Sequence, residues 1–487
     1  MNQSKKNSWS TQSGYIWALI GSAVGFANIL SFSSKAYFYG GGAFLVPFIT
    51  AIIVLGIPLL CLEGVIGQYF NLPLVAAYEK VAGRIGKFFG WLAIIAVTTI
   101  GGFYMLLTGW TVAYCYFTAT DSIPNNSLAF LHESFLHKST SITDFGSFAG
   151  FMFLCTMIIA LFAWYVVSRD IRSGIEKICS IFLPILALLI SFLTILVMFL
   201  PGAWQGFGYY ITPDFSVLAN PRLWLDAFGQ IFFSLSLGLG IITGYSRHAD
   251  NTINIGRSMM LVVIGDFLVS CIAGFAVFGC IGYMSQIQDI PFNAILTSSS
   301  PFEMGFVIFP TILKTFGPLV YPIMGVLFFF CIFIAGITGV FSIIESSAGN
   351  IEVEFGYKRA TAVTIATIIM AAIATIFCMG NGQYIIGAID PMVCGFNMLI
   401  SGIAEIIFFM WLSQQINGNK VWFTISKNRS LMYYSICYVV PFCLSLVFIA
   451  AIVHEFSGTT DYAKIIRWIW FAVAVIIAYA LSIKRKC

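Results

Sequence analysis

The sequence predicts an all-α polytopic membrane protein: twelve transmembrane helices, arranged as two inverted five-helix repeats (spans 1–5 and 6–10) with broken first and sixth helices, plus two further helices. Three observations carry that expectation. Of 487 residues, 59% are hydrophobic and only 9% charged, too little charged surface to solvate a globular chain of this size. Twelve apolar segments lie near 14–38, 43–70, 88–118, 147–168, 175–200, 223–248, 258–285, 319–350, 360–379, 388–413, 431–454 and 463–483. Each reaches the roughly 20 helical residues that a hydrocarbon core of about 30 Å requires. Finally, the first and sixth segments each carry a glycine-rich stretch at mid-length, where a helix in lipid breaks only if it lines a cavity or is buried in protein.

Orientation follows from the basic residues. With the N-terminus inside, 18 of the 24 Lys and Arg face the cytoplasm, and Lys35, Lys138, Arg222, Lys314, Lys464 and Arg467 fall outside. Both termini of a multi-pass protein of the plasma membrane are therefore expected to be cytoplasmic, and one missed span would scramble the agreement. Lys5 and Lys6 ahead of an apolar run imitate a signal peptide, but no small-residue cleavage site follows a short hydrophobic core. The expected units are 1–200 (N-terminal tail and first repeat), 201–415 (second repeat) and 416–487 (the last two helices and C-terminus).

In chain order, Lys6 and Trp9 precede the first span as interfacial anchors or as parts of an inner gate. Gly21-Ser22-Ala23-Val24-Gly25-Phe26-Ala27-Asn28 interrupts that span. Freed carbonyls there suit a bare monovalent cation, and the amides of the following half-helix suit a carboxylate. Close helix packing explains the same small residues. Gly40-Gly41-Gly42 turns the chain into the second span, where the buried carboxylate of Glu63 needs partners that unwound amides can supply. The third span holds Ile100 and Tyr104; a single Tyr in such a helix is most often interfacial or core. Gly174 and Pro184 mark a weak start to the fifth.

The second interruption, Ser234-Leu235-Ser236-Leu237-Gly238-Leu239-Gly240, lies in the sixth span. Five spans is an odd number, so a repeat of spans 1–5 in 6–10 sits upside down, and matched breaks in inverted halves point to a transport site at the midplane. Asp266 lies deep in the seventh span, where ionisable residues are functional by default. The outer loop 286–318 has apolar stretches suited to a lid. Ala335-Gly336-Ile337-Thr338-Gly339 gives the eighth span a small-residue patch with one hydroxyl, facing a break or packing a helix. Asp390 opens the tenth span and Glu405 lies within it; spans eleven and twelve lack buried charge and read as scaffold or oligomer surface. The cysteines sit almost entirely in spans and the four His are scattered, so no metal-ligand spacing arises. Gly238-Leu239-Gly240 is no nucleotide motif, since it follows no strand. No nucleic-acid partner, organic cofactor or enzymatic activity is expected: Asp266 and Asp390 lie at different depths with no nucleophile and base beside them.

Several long motifs in the right order give the chain its likeness to a known family: Trp9-Ser-Thr leading to Gly21-Ser-Ala-Val-Gly25 and Asn28, Gly40-Gly-Gly-Ala-Phe-Leu-Val-Pro47, Phe233-Ser-Leu-Ser-Leu-Gly-Leu-Gly240, Ala273-Gly-Phe275 and Ala335-Gly-Ile-Thr338. Over nearly its whole length the sequence resembles the bacterial branch of the neurotransmitter:sodium symporter family, whose inverted-repeat architecture is already known. The resemblance implies a first sodium site made by the Ala23 carbonyl, Asn28, Ser234, Asp266 and the substrate's carboxylate. A second would use carbonyls of Gly21, Val24 and Ala335 with the Thr338 hydroxyl. The substrate carboxylate would meet amides near Phe26 and Ala27 and the Tyr104 hydroxyl. Its amine would meet carbonyls of Ala23, Phe233 and Ser234, with Ser236 nearby, and Ile100, Phe233, Leu239 and Ile343 would wall its side chain.

Departures from the family pattern are informative. Ser31 stands where an outer-gate Arg is usual, leaving Lys35 as the nearest partner for Asp390. Gly339 replaces a sodium-ligating Ser, which removes one oxygen from the second site and is expected to leave room beside the substrate. Asp266 stands where the family generally has Asn, and Phe48 where chloride-dependent members have a Tyr ligand; a fixed carboxylate then supplies the charge that chloride brings elsewhere. Gly25, not Asp, favours a zwitterion. The expectation is a sodium-coupled importer of a neutral amino acid, hydrophobic or aromatic, carrying one or two Na+ and independent of chloride. An amino-acid sensor or gated channel on the same scaffold is the alternative.

Overall fold

The computed structural model describes residues 8–296, 300–412, 431–457 and 461–483. Helices dominate, and among these residues β structure is limited to two isolated bridges, Gly41 with Pro213 and Phe148 with Met379. Ten helices are long and apolar enough to cross a membrane, and the bent pair Gln12–Ala23 and Ala27–Phe38 makes an eleventh span. The sixth expected span is present as two pieces, Pro221–Ser234 and Ile241–Ser246, each too short to cross alone.

The largest boundary error is in the third span, which runs Leu74–Ala119 with a kink at Ala82 and Gly83. The expected start near 88 leaves out charged residues just before it, but Lys87 is buried against Glu354, so a charge there does not mark a helix end. Gly83, at φ +58, supplies the left-handed residue that the kink needs. The fifth span opens with a π turn, Arg172–Glu176, and continues as Lys177–Met198 through Pro184.

Enclosure separates core from periphery. The most apolar stretches of the third and eighth spans (Tyr321–Phe355) are 89% and 83% buried, against 28% and 17% for the eleventh (Met432–Ser457) and twelfth (Tyr462–Ile483). The first and sixth spans therefore pack against two deeply enclosed helices, which keeps their broken backbone out of lipid. The outer loop folds back as short helices over 301–314, and Phe302 and Phe306 place their rings 6.1 and 5.4 Å from that of Trp110.

Candidate functional site: two helix breaks and an acceptor cluster

Both predicted interruptions are real breaks. The first helix ends at Ala23, Val24 is extended (φ −76°, ψ 110°), and the chain resumes as a π turn, Ala27–Ser31, with the halves bent by 56°. Asn28 Oδ1 accepts the Gly25 amide at 2.8 Å, which satisfies one donor at the start of the second half. In the sixth span, 235–240 is non-helical, with Ser236, Gly238 and Gly240 at φ +55°, +70° and +65°. A serine at positive φ costs on the order of 1 kcal/mol and needs holding. Its hydroxyl donates to the Ser22 carbonyl at 3.0 Å, so the strained residue ties one break to the other.

Two more bonds join the breaks. Asn28 Nδ2 donates to Ser234 Oγ at 3.1 Å, and Gln230 Nε2 to the Ala27 carbonyl at 3.0 Å. Between them lies a pocket lined by Ala23, Ala27, Ile100, Tyr104, Phe233, Ser234, Ser236, Leu239, Gly339 and Ile343, every predicted substrate contact except Phe26. Phe26 instead borders a larger adjoining cavity, its ring edge-on to Tyr104 at 5.1 Å, while its amide faces the Tyr104 hydroxyl at 3.4 Å.

Gly25 permits that approach, because a β-carbon there would lie 2.0 Å from Tyr104 Oη. Gly339 does not leave the expected open room. A β-carbon at 339 would lie 2.7 Å from Tyr104 Cε1, so the tyrosine ring already fills the space that the absent serine side chain vacates.

The predicted first cation site is an acceptor cluster gathered on one amide. Asn28 Nδ2 donates to Asp266 Oδ1 at 2.7 Å, to Ser270 Oγ at 2.9 Å and to Ser234 Oγ at 3.1 Å, and Ser234 Oγ itself donates to Asp266 Oδ1 at 2.8 Å. Asp266 Oδ2 is buried and has no partner. The carboxylate with a spare oxygen and the two hydroxyls fit a hard monovalent cation that binds oxygen, whereas the Asn28 amide presents its nitrogen to them and keeps its oxygen on the Gly25 amide. Ser270 was missed by sequence reading; it lies one helical turn after Asp266, and that i, i+4 spacing was the available signal.

At the second predicted site, Gly21 abuts Thr338, since a β-carbon at 21 would lie 3.1 Å from Thr338 Cβ. The Thr338 hydroxyl donates to the Ile334 carbonyl at 2.9 Å, and Val24 and Ala335 are fully buried nearby in the chain.

The predicted gate residues separate into two ends. A cavity of about 700 Å³, lined by Lys35, Asp226, Gln230, Phe233 and Asp390 among others, leads to the pocket from one side. Lys35 and Asp390 share that vestibule but form no ion pair: Lys35 Nζ donates to Gln230 Oε1 at 3.0 Å and to the Asp226 carbonyl at 3.4 Å. The proposed replacement for the missing Arg is therefore not closed in this structure. Gln230, which sequence reading overlooked, occupies the centre instead, also accepting Ser31 Oγ at 2.9 Å. At the opposite end Trp9 is buried, its indole donating to the Tyr245 carbonyl at 2.9 Å, whereas Lys6 lies outside the described residues.

Two broken helices joined across a pocket, beside a buried acceptor cluster, with one end open and the other shut, define a membrane transporter. The chain belongs to the sodium:neurotransmitter symporter family, whose sequence profile matches residues 6–128 and 124–486. It is 34% identical over 421 residues to an uncharacterised sodium-dependent transporter of Methanocaldococcus jannaschii, covering 86% of this chain and 84% of that one. It is 26% identical over 493 residues to the sodium-dependent dopamine transporter of Bos taurus, covering 92% and 69% of the two chains. The fold matches the crystal structure of MhsT in complex with L-phenylalanine, with TM-score 0.77 and 24% identity over 91% of this chain and 99% of that one. Sodium-coupled transport, not catalysis, is thus the activity of this multi-pass membrane protein.

Proposed function

We propose that the chain imports a neutral amino acid, hydrophobic or aromatic, together with sodium by alternating access, and that it needs no chloride. The observation that carries this reading is the unpartnered Asp266 Oδ2 in the acceptor cluster, next to a pocket built from both helix breaks. The carboxylate of a zwitterion is read by the amides of Phe26 and Ala27 and the Tyr104 hydroxyl. Its amine meets the carbonyls of Ala23, Phe233 and Ser234, with Ser236 beside them, and the side chain lies among Ile100, Leu239 and Ile343. The L-phenylalanine in the MhsT complex supports this substrate class.

The first sodium sits among the Ala23 carbonyl, Asn28, Ser234 and Asp266, completed by the substrate's carboxylate. Asn28 turns its amide so that oxygen replaces nitrogen at the centre. Because ion and substrate complete one another's site, each raises the other's affinity by the same factor. A second sodium would use the carbonyls of Gly21, Val24 and Ala335 and the Thr338 hydroxyl, one oxygen short because of Gly339. With both termini cytoplasmic, the 700 Å³ vestibule opens outward.

A screen of the twenty amino acids for sodium-dependent thermal stabilisation tests the substrate class. Tyr104→Phe should weaken the best of them by about 1 kcal/mol, roughly fivefold, the worth of one hydrogen bond; unchanged affinity counts against the carboxylate contact. Asp266→Asn should make uptake into proteoliposomes depend on added chloride or abolish it. Full uptake in a chloride-free medium would remove the chloride argument while leaving sodium symport standing.

A further inference from the structure

At the end where Trp9 is buried, the second half of the sixth span runs into Arg247 and His248, and the transport scheme above uses neither. Arg247 is buried, with its guanidinium pressed on Gly349, where a β-carbon would come within 2.8 Å of Nη2. Nη2 donates to Glu345 Oε1 at 3.2 Å and to Glu352 Oε2 at 3.1 Å, both on the eighth span, and Nη1 to the Gly349 carbonyl at 3.3 Å. The remaining donor, Nε, points to His248 Nε2 at 2.9 Å.

The same imidazole nitrogen faces Glu345 Oε1, 3.3 Å away. It offers a lone pair or a proton, never both. A guanidinium only donates and a carboxylate only accepts, so Nε2 serves Arg247 when bare and Glu345 when it carries hydrogen. At 2.9 Å from Arg247 Nε it is bare, which makes His248 neutral with its proton on Nδ1. Burial, then the Arg247 guanidinium, hold its pKa below the ordinary value of 6.5, while Glu345 pulls the other way. The other charges around it are Arg359, which opens the ninth span (Arg359–Ile376) and binds Glu345 Oε2 at 2.7 Å, and Asp170 beside Arg359. The entry to the first span adds an uncharged contact, the Trp9 amide donating to the His248 carbonyl at 3.4 Å.

We propose that His248 positions Arg247 in this clamp and makes the clamp sensitive to protons. Neutral, the imidazole fixes the guanidinium so that Nη2 reaches both carboxylates. A proton taken up on Nε2 turns an acceptor into a donor that confronts Arg247 Nε. The new N–H goes to Glu345 Oε1, and Arg247 Nε loses its partner. Proton uptake therefore favours the loosened arrangement. By linkage, the clamp has its full strength above the ordinary histidine pKa and weakens as pH falls through that value. The protonation state rests on the cluster alone; only its effect on access rests on the alternating access proposed above.

Histidine-selective NMR of the purified full-length protein tests the first part, since the chain has four His. The resonance lost in His248→Gln should report a ring that is neutral at pH 7, with its proton on Nδ1, and charges only below about pH 6.5. A ring charged at pH 7 overturns the assignment. Alkylation of the buried Cys179 thiol beside Gly21, followed by peptide mass spectrometry in potassium chloride, tests the second part. Acid slows the thiol's own chemistry, so the readout is the rate ratio of wild type to His248→Gln, whose side-chain oxygen keeps an acceptor for Arg247 and does not titrate. That ratio should be near unity at pH 7.5 and rise about threefold or more by pH 5.5. His248→Leu, with no acceptor at any pH, should label faster than His248→Gln already at pH 7.5. His248→Asn takes the place of His248→Gln should that variant not fold. A ratio that stays flat, or a folded His248→Leu that labels no faster, overturns the link to the clamp, whatever the resonance shows.

Discussion

The two ends of the path through the bundle are secured by opposite means. At the end proposed to face outward, called the outer end, Lys35 and Asp390 line one wide vestibule without pairing with each other, and Lys35 rests on a neutral amide, Gln230. At the inner end, fully buried Glu345 binds Arg359 Nη2 at 2.7 Å and Arg247 Nη2 at 3.2 Å, and His248 Nε2 lies 3.3 Å away. Arg247 reaches Glu352 as well, at 3.1 Å. Arg247 closes the second half of the broken sixth span, while Glu345 belongs to the enclosed eighth, so the ion cluster joins a short half-helix to a deeply enclosed one. An exposed pair gains little because water screens it, whereas a buried cluster is costly to break. On the alternating access proposed above, the inner end would therefore store the larger barrier.

Neutralising Glu345 is expected to have the largest effect. Glu345→Gln leaves the Arg247 and Arg359 guanidiniums without their shared anion, a loss of roughly 3–5 kcal/mol, or about two to four orders of magnitude in the inner-closed population. Native Cys179 is a built-in reporter, being buried and 3.5 Å from the β-position of Gly21 on the inner side of the break. Its alkylation, followed by peptide mass spectrometry, should accelerate at least tenfold and sodium-driven uptake should fall. Unaltered labelling of a folded variant would make the cluster structural and erase the contrast between the ends.

Trp9 gives an intermediate test. Its ring packs 5.4 Å from that of Tyr245 and 5.6 Å from that of Tyr15, whose hydroxyl shares a hydrogen with Ser246 Oγ at 2.6 Å. Trp9→Phe keeps most of the apolar plug and removes the indole bond to the Tyr245 carbonyl. The expected cost is about 1 kcal/mol, roughly a fivefold rise in Cys179 labelling. A rise as large as that of Glu345→Gln would shift the seal from the ions to the aromatic plug.

Much of the pocket between the breaks was legible because backbone breaks in lipid leave a mark: glycines and polar residues at mid-span in two places of a repeat. Those residues specify the local backbone, so Ser22 to Asn28 and Ser234 to Gly240 could be placed without coordinates. Ser270 and Gln230 were missed because each reads as an ordinary small or polar helix residue until Asn28 and Lys35 are brought beside it. Lys87 misled for the same reason, since its charge is neutralised by Glu354 from far along the chain. The inner cluster was illegible as a unit: Arg247 and Arg359 counted only as cytoplasmic charges, and nothing local to Glu345 says that both converge on it. Gly339 shows the limit at atomic scale, for whether a missing side chain leaves a void depends on Tyr104.

The smallest expected effect belongs to the outer end. Asp390→Asn removes the charge and keeps the shape of an exposed residue lining the vestibule, and Lys35 already has Gln230 Oε1 and the Asp226 carbonyl as partners. Exposed ion pairs contribute about 0–1 kcal/mol, so initial rates of sodium-driven uptake should stay within about threefold of wild type, with Cys179 labelling unmoved. The decisive comparison is with Lys35→Met. If Asp390→Asn and Lys35→Met each lower uptake tenfold and the double variant is no worse than either, the two residues act as one unit. They would then close on each other in a later step, and the outer end would be an ionic gate like the inner one, differing only in when it forms.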